Sequence, residues 1–291
     1  MPRPPTVFFL SDYGTQDEFA GVVHAVIAAG APEAKVIDLT HEIAAFDVRA
    51  GSHALTRAVP HLPAGIVLAV VDPGVGSARR GICVRVDTDS GPDLFVGPDN
   101  GLLVAAAERA GGGRVAEAVA LRRPDEADDR GDTFDGRDLF APAVAALCRG
   151  AAPGDVGDAV EASSLVRLPA GVVQHGRHHD GRTCLRCEVT WVDHFGNIQL
   201  AATSADGQVA GIPWDGMVEV VAPDAGEHEG LPDALVPLGT ALRCVETFSD
   251  LDHSELGLLV DANGHLAVVA GEASAAHWLN VEAGELLELT W

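Results

Sequence analysis

Val70-Val71-Asp72-Pro73-Gly74-Val75-Gly76-Ser77-Ala78-Arg79-Arg80 follows the apolar run Gly65-Ile66-Val67-Leu68-Ala69. A run of that length reads as a buried strand, and it ends at a carboxylate. A proline and two glycines then force a tight loop, which two arginines close. In an α/β sheet, the loop leaving the C-terminal end of a strand is where ligands bind. Asp72 and Arg79, held across this loop, can therefore face one polar target. Taken alone, the stretch also fits a plain turn with a surface Asp–Arg pair.

The same grammar recurs on either side. Thr6 to Leu10 reads as a strand ending in Ser11-Asp12-Tyr13-Gly14, which again places an acid at a strand's C-terminal end. Phe19 to Ala29 has helical spacing, with Asp17 and Glu18 where the helix dipole favours acids. Val36 to Leu39 predicts a second strand, leading into Thr40-His41-Glu42-Ile43, and Asp47 to Val59 predicts a helix stopped by Pro60 and Pro63. Further strands are expected at Ile82–Val86 and Leu94–Val96, and helices at Leu102–Ala110 and Leu139–Cys148. This alternation implies an N-terminal α/β domain with a mostly parallel sheet. The charged stretch from Arg122 to Asp132 predicts a loop, a candidate lid. Gly150 to Ala170 is rich in Ala, Gly, Ser, Asp and Pro, and from Thr183 onward short alternating runs separated by Gly, Asn and Asp take over. These predict a C-terminal all-β domain, barrel-like or a sandwich. The expected organisation is 1–165 for the α/β domain, 166–182 for the linker and 183–291 for the β domain.

The 291 residues are 47% hydrophobic, enough chain for a sizeable core. The net charge of −24 argues against nucleic acid and against an anionic membrane surface as partners. Five scattered cysteines, with one lone Cys184-Leu-Arg-Cys187, make poor disulfide arithmetic, and zinc is not expected. With no apolar run of membrane-spanning length, the expectation is a cytoplasmic protein with reduced thiols. His175, His178 and His179 fit a solvated hairpin loop better than a metal site, His24 falls in an apolar helix and reads as packed, and no metal is predicted.

Several motifs occur together and in order: Ser11-Asp12-Tyr13-Gly14, Asp38-Leu-Thr-His-Glu-Ile43, Val71-Asp-Pro-Gly-Val-Gly76 with Arg79, Gly97-Pro-Asp-Asn-Gly-Leu-Leu103, Thr133-Phe-Asp-Gly-Arg-Asp138, and Asp193-His-Phe-Gly-Asn197. In combination the chain resembles the adenosine-forming S-adenosylmethionine hydrolases, relatives of the fluorinase and chlorinase. The resemblance implies an α/β domain plus a β-barrel, a homotrimer with active sites between subunits, and attack of water or hydroxide on C5′ of S-adenosylmethionine. Adenosine and methionine leave, with no cofactor or metal.

It further implies a catalytic set of Asp72, Arg79 and Asp135. The last stands where hydrolase relatives carry histidine, so imidazole's near-neutral titration and N–H donor are missing. Asp135 is expected either near the nucleophile or paired with Arg79 or Arg137. Asp12 resembles the clasp of the ribose hydroxyls, with a helix N-cap as its alternative role, and Phe46 lies where relatives have an aromatic near the ribose. Asn197 resembles the adenine reader, Phe195 and Phe248 the walls around the base, and Asp193 the partner of the methionine ammonium. Backbone around Ala270–Ala273, with Glu272, is placed near the adenine. Asp261-Ala-Asn-Gly264 lacks the serine that relatives use for the methionine carboxylate. A sulfonium leaves as a neutral thioether, so no general acid is required; holding one water in line is the task. The rivals are a non-catalytic S-adenosylmethionine or adenosine binder, and a halogenase, which a carboxylate at Asp72 disfavours because it repels halide.

Overall fold

Residues 5–91, 93–123, 131–221 and 239–291 are described in a computed structural model of the chain. The chain divides into two compact units, 1–168 and 169–291.

In the first unit the elements run β1 (Thr6–Ser11), α1 (Phe19–Gly30), β2 (Lys35–Thr40), α2 (Val48–Ala58), β3 (Ile66–Val70), β4 (Gly81–Arg85), β5 (Leu94–Pro98), α3 (Val104–Ala110), β6 (Glu117–Leu121), α4 (Ala141–Cys148), α5 (Pro153–Val156) and β7 (Gly157–Ala159). They form a seven-stranded sheet in the order β2-β1-β3-β5-β4-β6-β7. The pairings β2–β1, β1–β3 and β3–β5 are parallel, while β4 pairs antiparallel with both β5 and β6, and β7 antiparallel with β6. Five of the seven strands therefore share one direction, with β4 and β7 reversed. This is the mostly parallel sheet expected from the alternating pattern. β3 is buried at every position, as a central strand covered on both faces must be. Val7, Phe9, Val23, Ile27, Leu68, Val96, Phe140 and Val144 form the core on the face covered by α1 and α4.

Close packing explains one motif glycine. A Cβ at Gly97 on β5 would lie 2.1 Å from the Ala69 carbonyl oxygen on β3, so only hydrogen fits there. The expected helix from Leu139 begins earlier and differently: Gly136–Phe140 is a π-helical turn that runs directly into α4. Such turns often accompany functional residues, and this one starts beside Asp135. Of the stretch expected to form a lid, residues 124–130 lie outside the described residues.

The second unit contains β8 (Val173–Arg177), β9 (Thr183–Val192), β10 (Ile198–Thr203), α6 (Ser204–Ala210), β11 (Met217–Val221), β12 (Thr240–Cys244), β13 (Leu256–Val260), β14 (His265–Ala270), α7 (Ala275–Leu279) and β15 (Leu286–Thr290). The order β10-β14-β13-β12-β11-β15-β9 closes through a β10–β9 pairing, giving a seven-stranded barrel with β8 added beside β9. Closure decides between sandwich and barrel, and it removes exposed sheet edges. The barrel interior is filled by Leu185, Val189, Ile198, Leu200, Val218, Leu242, Leu258, Val268 and Leu287. His175 lies on β8 rather than in the expected loop, and His178 Nδ1 sits 2.6 Å from Glu288 Oε1.

Cys184 and Cys187 are both buried on β9, and their odd spacing directs them to opposite faces of the strand. They cannot chelate together. Burial pushes the Cys187 thiol up to about 12, with the charge of Asp206 adding to the effect. Among the described residues no helix is long and apolar enough to cross a membrane.

Candidate active site

The C-terminal ends of β1 and β3 lie side by side, with Ser11 paired to Val70. Asp12 and Asp72 therefore emerge next to each other. After Asp72 the loop turns back through Gly74 and Gly76, the latter at φ +77°. The return brings Arg79 onto Asp72: Arg79 Nε donates to Asp72 Oδ1 at 3.0 Å, and Nη2 donates to Asp72 Oδ2. That two-point contact fixes the plane of the carboxylate as well as its position. The same Nη2 donates to Asp135 Oδ2, so one guanidinium joins both acids. The side chains of Asp72, Arg79 and Asp135 are 6%, 12% and 2% exposed, so this is an interior charge cluster. Burial works against the charged Arg79, but hydrogen bonds and charge from Asp72 and Asp135 outweigh it and hold its pKa above the ordinary arginine value. The Phe140 ring lies under the guanidinium at 5.4 Å.

Asp135 takes the pairing with Arg79 rather than with Arg137. Its other oxygen accepts from Arg123 Nη2 at 2.6 Å. Arg137 instead pairs with Asp138 at 2.6 Å. Both oxygens of Asp135 are thus engaged by arginines. No sequence signal singled out Arg123, because it sits in a charged stretch where any arginine reads as solvated surface.

Two further supports emerge only from the fold. Asn100 Nδ2 donates to the Val71 carbonyl at 2.8 Å, bracing the residue before Asp72. Asp99, in the Gly97–Leu103 motif, is buried and accepts from Arg80 Nε at 2.9 Å and from Val166 N–H at 2.9 Å. Tyr13 packs edge-on to Phe134, and a Cβ at Gly136 would lie 2.2 Å from its hydroxyl oxygen. Burial first, then the charges of Asp12, Asp72 and Asp135, raise the Tyr13 pKa, which keeps the phenol a neutral donor beside the acids.

Asp12 does not cap α1, whose N-cap is Glu18 without a side-chain bond. Its Oδ2 accepts from the Phe46 N–H at 2.9 Å. Phe46 has φ +70° and is 70% exposed. A non-glycine residue held in that region by a carboxylate, with its ring in solvent, is the strained, presented arrangement found at ligand sites.

The second unit carries its own pocket of about 560 Å³, lined by Phe195, Asn197, Phe248, Ala270, Glu272, Ala273 and Ser274. Phe195 and Phe248 are 75% and 53% exposed, an unusual cost for two aromatics unless something stacks on them. The Asp193–Asn197 turn is built by its own acid. Asp193 Oδ1 accepts from the N–H groups of Phe195 and Asn197, both at 2.9 Å, and Oδ2 accepts from Asn197 Nδ2 at 2.8 Å. Asp193 thereby fixes the Asn197 amide, whose Oδ1 and second N–H are not used by that contact. Glu272 has φ +49° and stands at the pocket rim, where His253 Nδ1 lies 3.7 Å from its Oε2.

Gly196 joins this turn to the opposite wall. It has φ +84°, and a Cβ would fall 2.0 Å from Ser274 Oγ. Gly196→Ala therefore meets both backbone strain and a clash with the residue that caps α7. A loss of about 2–4 kcal/mol in unfolding free energy is expected, combining left-handed strain with overpacking. Urea denaturation of the variant checks this.

An α/β unit bearing a buried acid–guanidinium–acid cluster is followed in the chain by a closed barrel with its own aromatic- and amide-lined pocket. The chain belongs to the SAM hydroxide adenosyltransferase family, matching its N-terminal domain over residues 7–157 and its C-terminal domain over residues 187–288. A relative from Salinispora tropica, named (R)-S-adenosyl-L-methionine hydrolase, is 43% identical over 291 residues, covering 100% of this chain and 99% of the relative. A protein from Actinopolyspora mzabensis named fluorinase is 24% identical over 311 residues, covering 98% and 97%. The crystal structure of an uncharacterized conserved protein from Thermotoga maritima superposes with a TM-score of 0.80 at 30% identity, covering 97% of this chain and 99% of that one.

Proposed function

We propose that this protein hydrolyses S-adenosylmethionine to adenosine and methionine by in-line attack of water at C5′; a 43%-identical relative is named (R)-S-adenosyl-L-methionine hydrolase. The observation that carries the mechanism is the two-point hold of Arg79 on Asp72. It leaves lone pairs of Asp72 to accept a hydrogen bond from a water while fixing their direction. The C5′–S bond breaks as the water oxygen bonds to C5′. The sulfonium's positive charge is lost as methionine leaves neutral at sulfur, and the water's proton passes to Asp72 and on to solvent.

Asp135 acts on Arg79, not on the water. Both its oxygens are taken by Arg79 and Arg123, so it positions the guanidinium and balances its charge. This accounts for a carboxylate where relatives carry histidine: hydrolysis here rests on an oriented Asp72. Asp12 clasps the ribose hydroxyls, held for that by Phe46 N–H. Asn197 reads the adenine edge between Phe195 and Phe248, and Asp193 orients it. With both Asp193 oxygens committed to the turn, binding of the methionine ammonium would use its remaining lone pair. The reaction needs no cofactor. The working assembly is a cytoplasmic homotrimer, supported by the family resemblance and by the exposed Phe46, Phe195 and Phe248, which gain cover in an oligomer. Light scattering on the purified chain tests the trimer.

Incubating the protein with S-adenosylmethionine, with and without chloride, tests the reaction. Adenosine in both buffers is the expected product. A 5′-halo nucleoside would replace hydrolysis with halogenation, which the paired acids disfavour by repelling an anion. No product with adenosine still bound would mark a binding protein instead.

A further inference from the structure

His24 on α1, Asp38 on β2 and His41 just beyond it come together on the far side of β1 from β3, which leads into Asp72. Their ligand atoms all lie within 4.8 Å of one another, the one such cluster of three found among the described residues. His24 Nε2 is 2.8 Å and His41 Nε2 is 3.2 Å from the same oxygen, Asp38 Oδ1. The sequence separates these residues: His24 reads as packed in a helix, while Asp38 and His41 belong to the motif that follows it in the chain.

The state of His41 is the telling point. Its side chain is 7% exposed, and its Nε2 makes no hydrogen bond although Asp38 Oδ1 lies beside it. Its Nδ1 is 2.7 Å from Ser11 Oγ. Imidazole ligands of metals have this pattern: one nitrogen is held by a hydrogen bond while the other is free to bind. Donors around one divalent ion at about 2.0–2.2 Å stand roughly 3 Å apart, which the two nitrogen–oxygen spacings match. Two imidazoles and a carboxylate suit zinc, cobalt or nickel rather than magnesium or calcium. Asp38 is 44% exposed and His24 35%, so an ion can enter from solvent and keep a water as a further ligand.

We propose that His24, Asp38 and His41 form a binding site for a divalent transition-metal ion that steadies the loop carrying Asp12. The connection is direct. His41 holds Ser11 Oγ, which also accepts from the Tyr13 N–H at 3.2 Å, and the His41 carbonyl accepts from the Gly14 N–H at 2.7 Å. An ion fixing the His41 ring therefore fixes the residues on both sides of Asp12. The ion has no part in the proposed hydrolysis, so the site stands or falls separately from it.

Chelator-treated full-length protein titrated with cobalt chloride, followed by visible absorption and by thermal unfolding, tests the site. One equivalent per chain is expected to give ligand-field bands and to raise the unfolding temperature. His24→Ala and Asp38→Asn change partly exposed side chains and should fold. Each is expected to weaken cobalt binding at least tenfold and to abolish the thermal shift. His175→Ala, in the other histidine-rich segment, is expected to leave both unchanged. The proposal is overturned if the parent protein shows no saturable binding, if His24→Ala binds as tightly as the parent, or if His175→Ala is the variant that loses the ion.

Discussion

Asp72→Asn is expected to lower kcat by about 10²- to 10³-fold while KM changes by less than about threefold, the pattern for a contact that strengthens only as the reaction proceeds. Asparagine keeps the shape and can still accept from Arg79. It loses the charge and the capacity to take the water's proton. In the proposed reaction the substrate arrives with a sulfonium cation whose charge diminishes toward the transition state, so the enzyme gains most by fixing the direction of attack. In the proposed mechanism that direction comes from the two bonds from Arg79 to Asp72, from Asn100 holding the Val71 carbonyl, and from the glycines that let the loop reverse. Steady-state release of adenosine, with single-turnover rates to separate chemistry from product release, measures the effect. Unchanged turnover would remove Asp72 from the mechanism.

Arg79→Met is expected to cost about 3–5 kcal/mol of stability and to abolish measurable turnover. Methionine fills the volume over Phe140, so the loss is not one of packing. It comes from leaving Asp72 and Asp135, whose side chains are 6% and 2% exposed, without the cation between them. Arg123 still reaches Asp135, which places the value toward the lower end of that range. A surface ion pair would give about 0–1 kcal/mol, so the measurement separates a buried cluster from a decorative one. Urea denaturation of both proteins reads it. A change below 1 kcal/mol would mean that the guanidinium is replaceable by solvent.

Much of the fold is carried by short-range pattern. Burial on both faces made β3 a continuous apolar run, and helices at 3.6-residue spacing between such runs declared an α/β sheet. Strand ends were legible because Asp12 and Asp72 interrupt apolar runs, so the places where acids leave the sheet could be named in advance. The barrel was legible as a set of alternating strands, but β10 lacks that alternation. Ile198–Thr203 is buried at four of six positions and closes the ring, so it does not alternate. The reversed strands β4 and β7 could not be told from parallel ones, because direction in a sheet is a property of pairing partners and not of composition.

The sequence by itself determined the two-part α/β-plus-β plan, the family motifs and the acids and aromatics that they carry, since each follows from local periodicity or from residues adjacent in the chain. Only the tertiary structure decided what those residues do to one another. It set Arg123 against Asp135, Asn100 under Val71, Tyr13 against Gly136, and His24 beside Asp38 and His41. The physical reason is range. Periodicity is enforced by the backbone within a few residues, whereas charge pairing acts through space between residues that only the packing of β1, β2, β3 and α1 brings within reach.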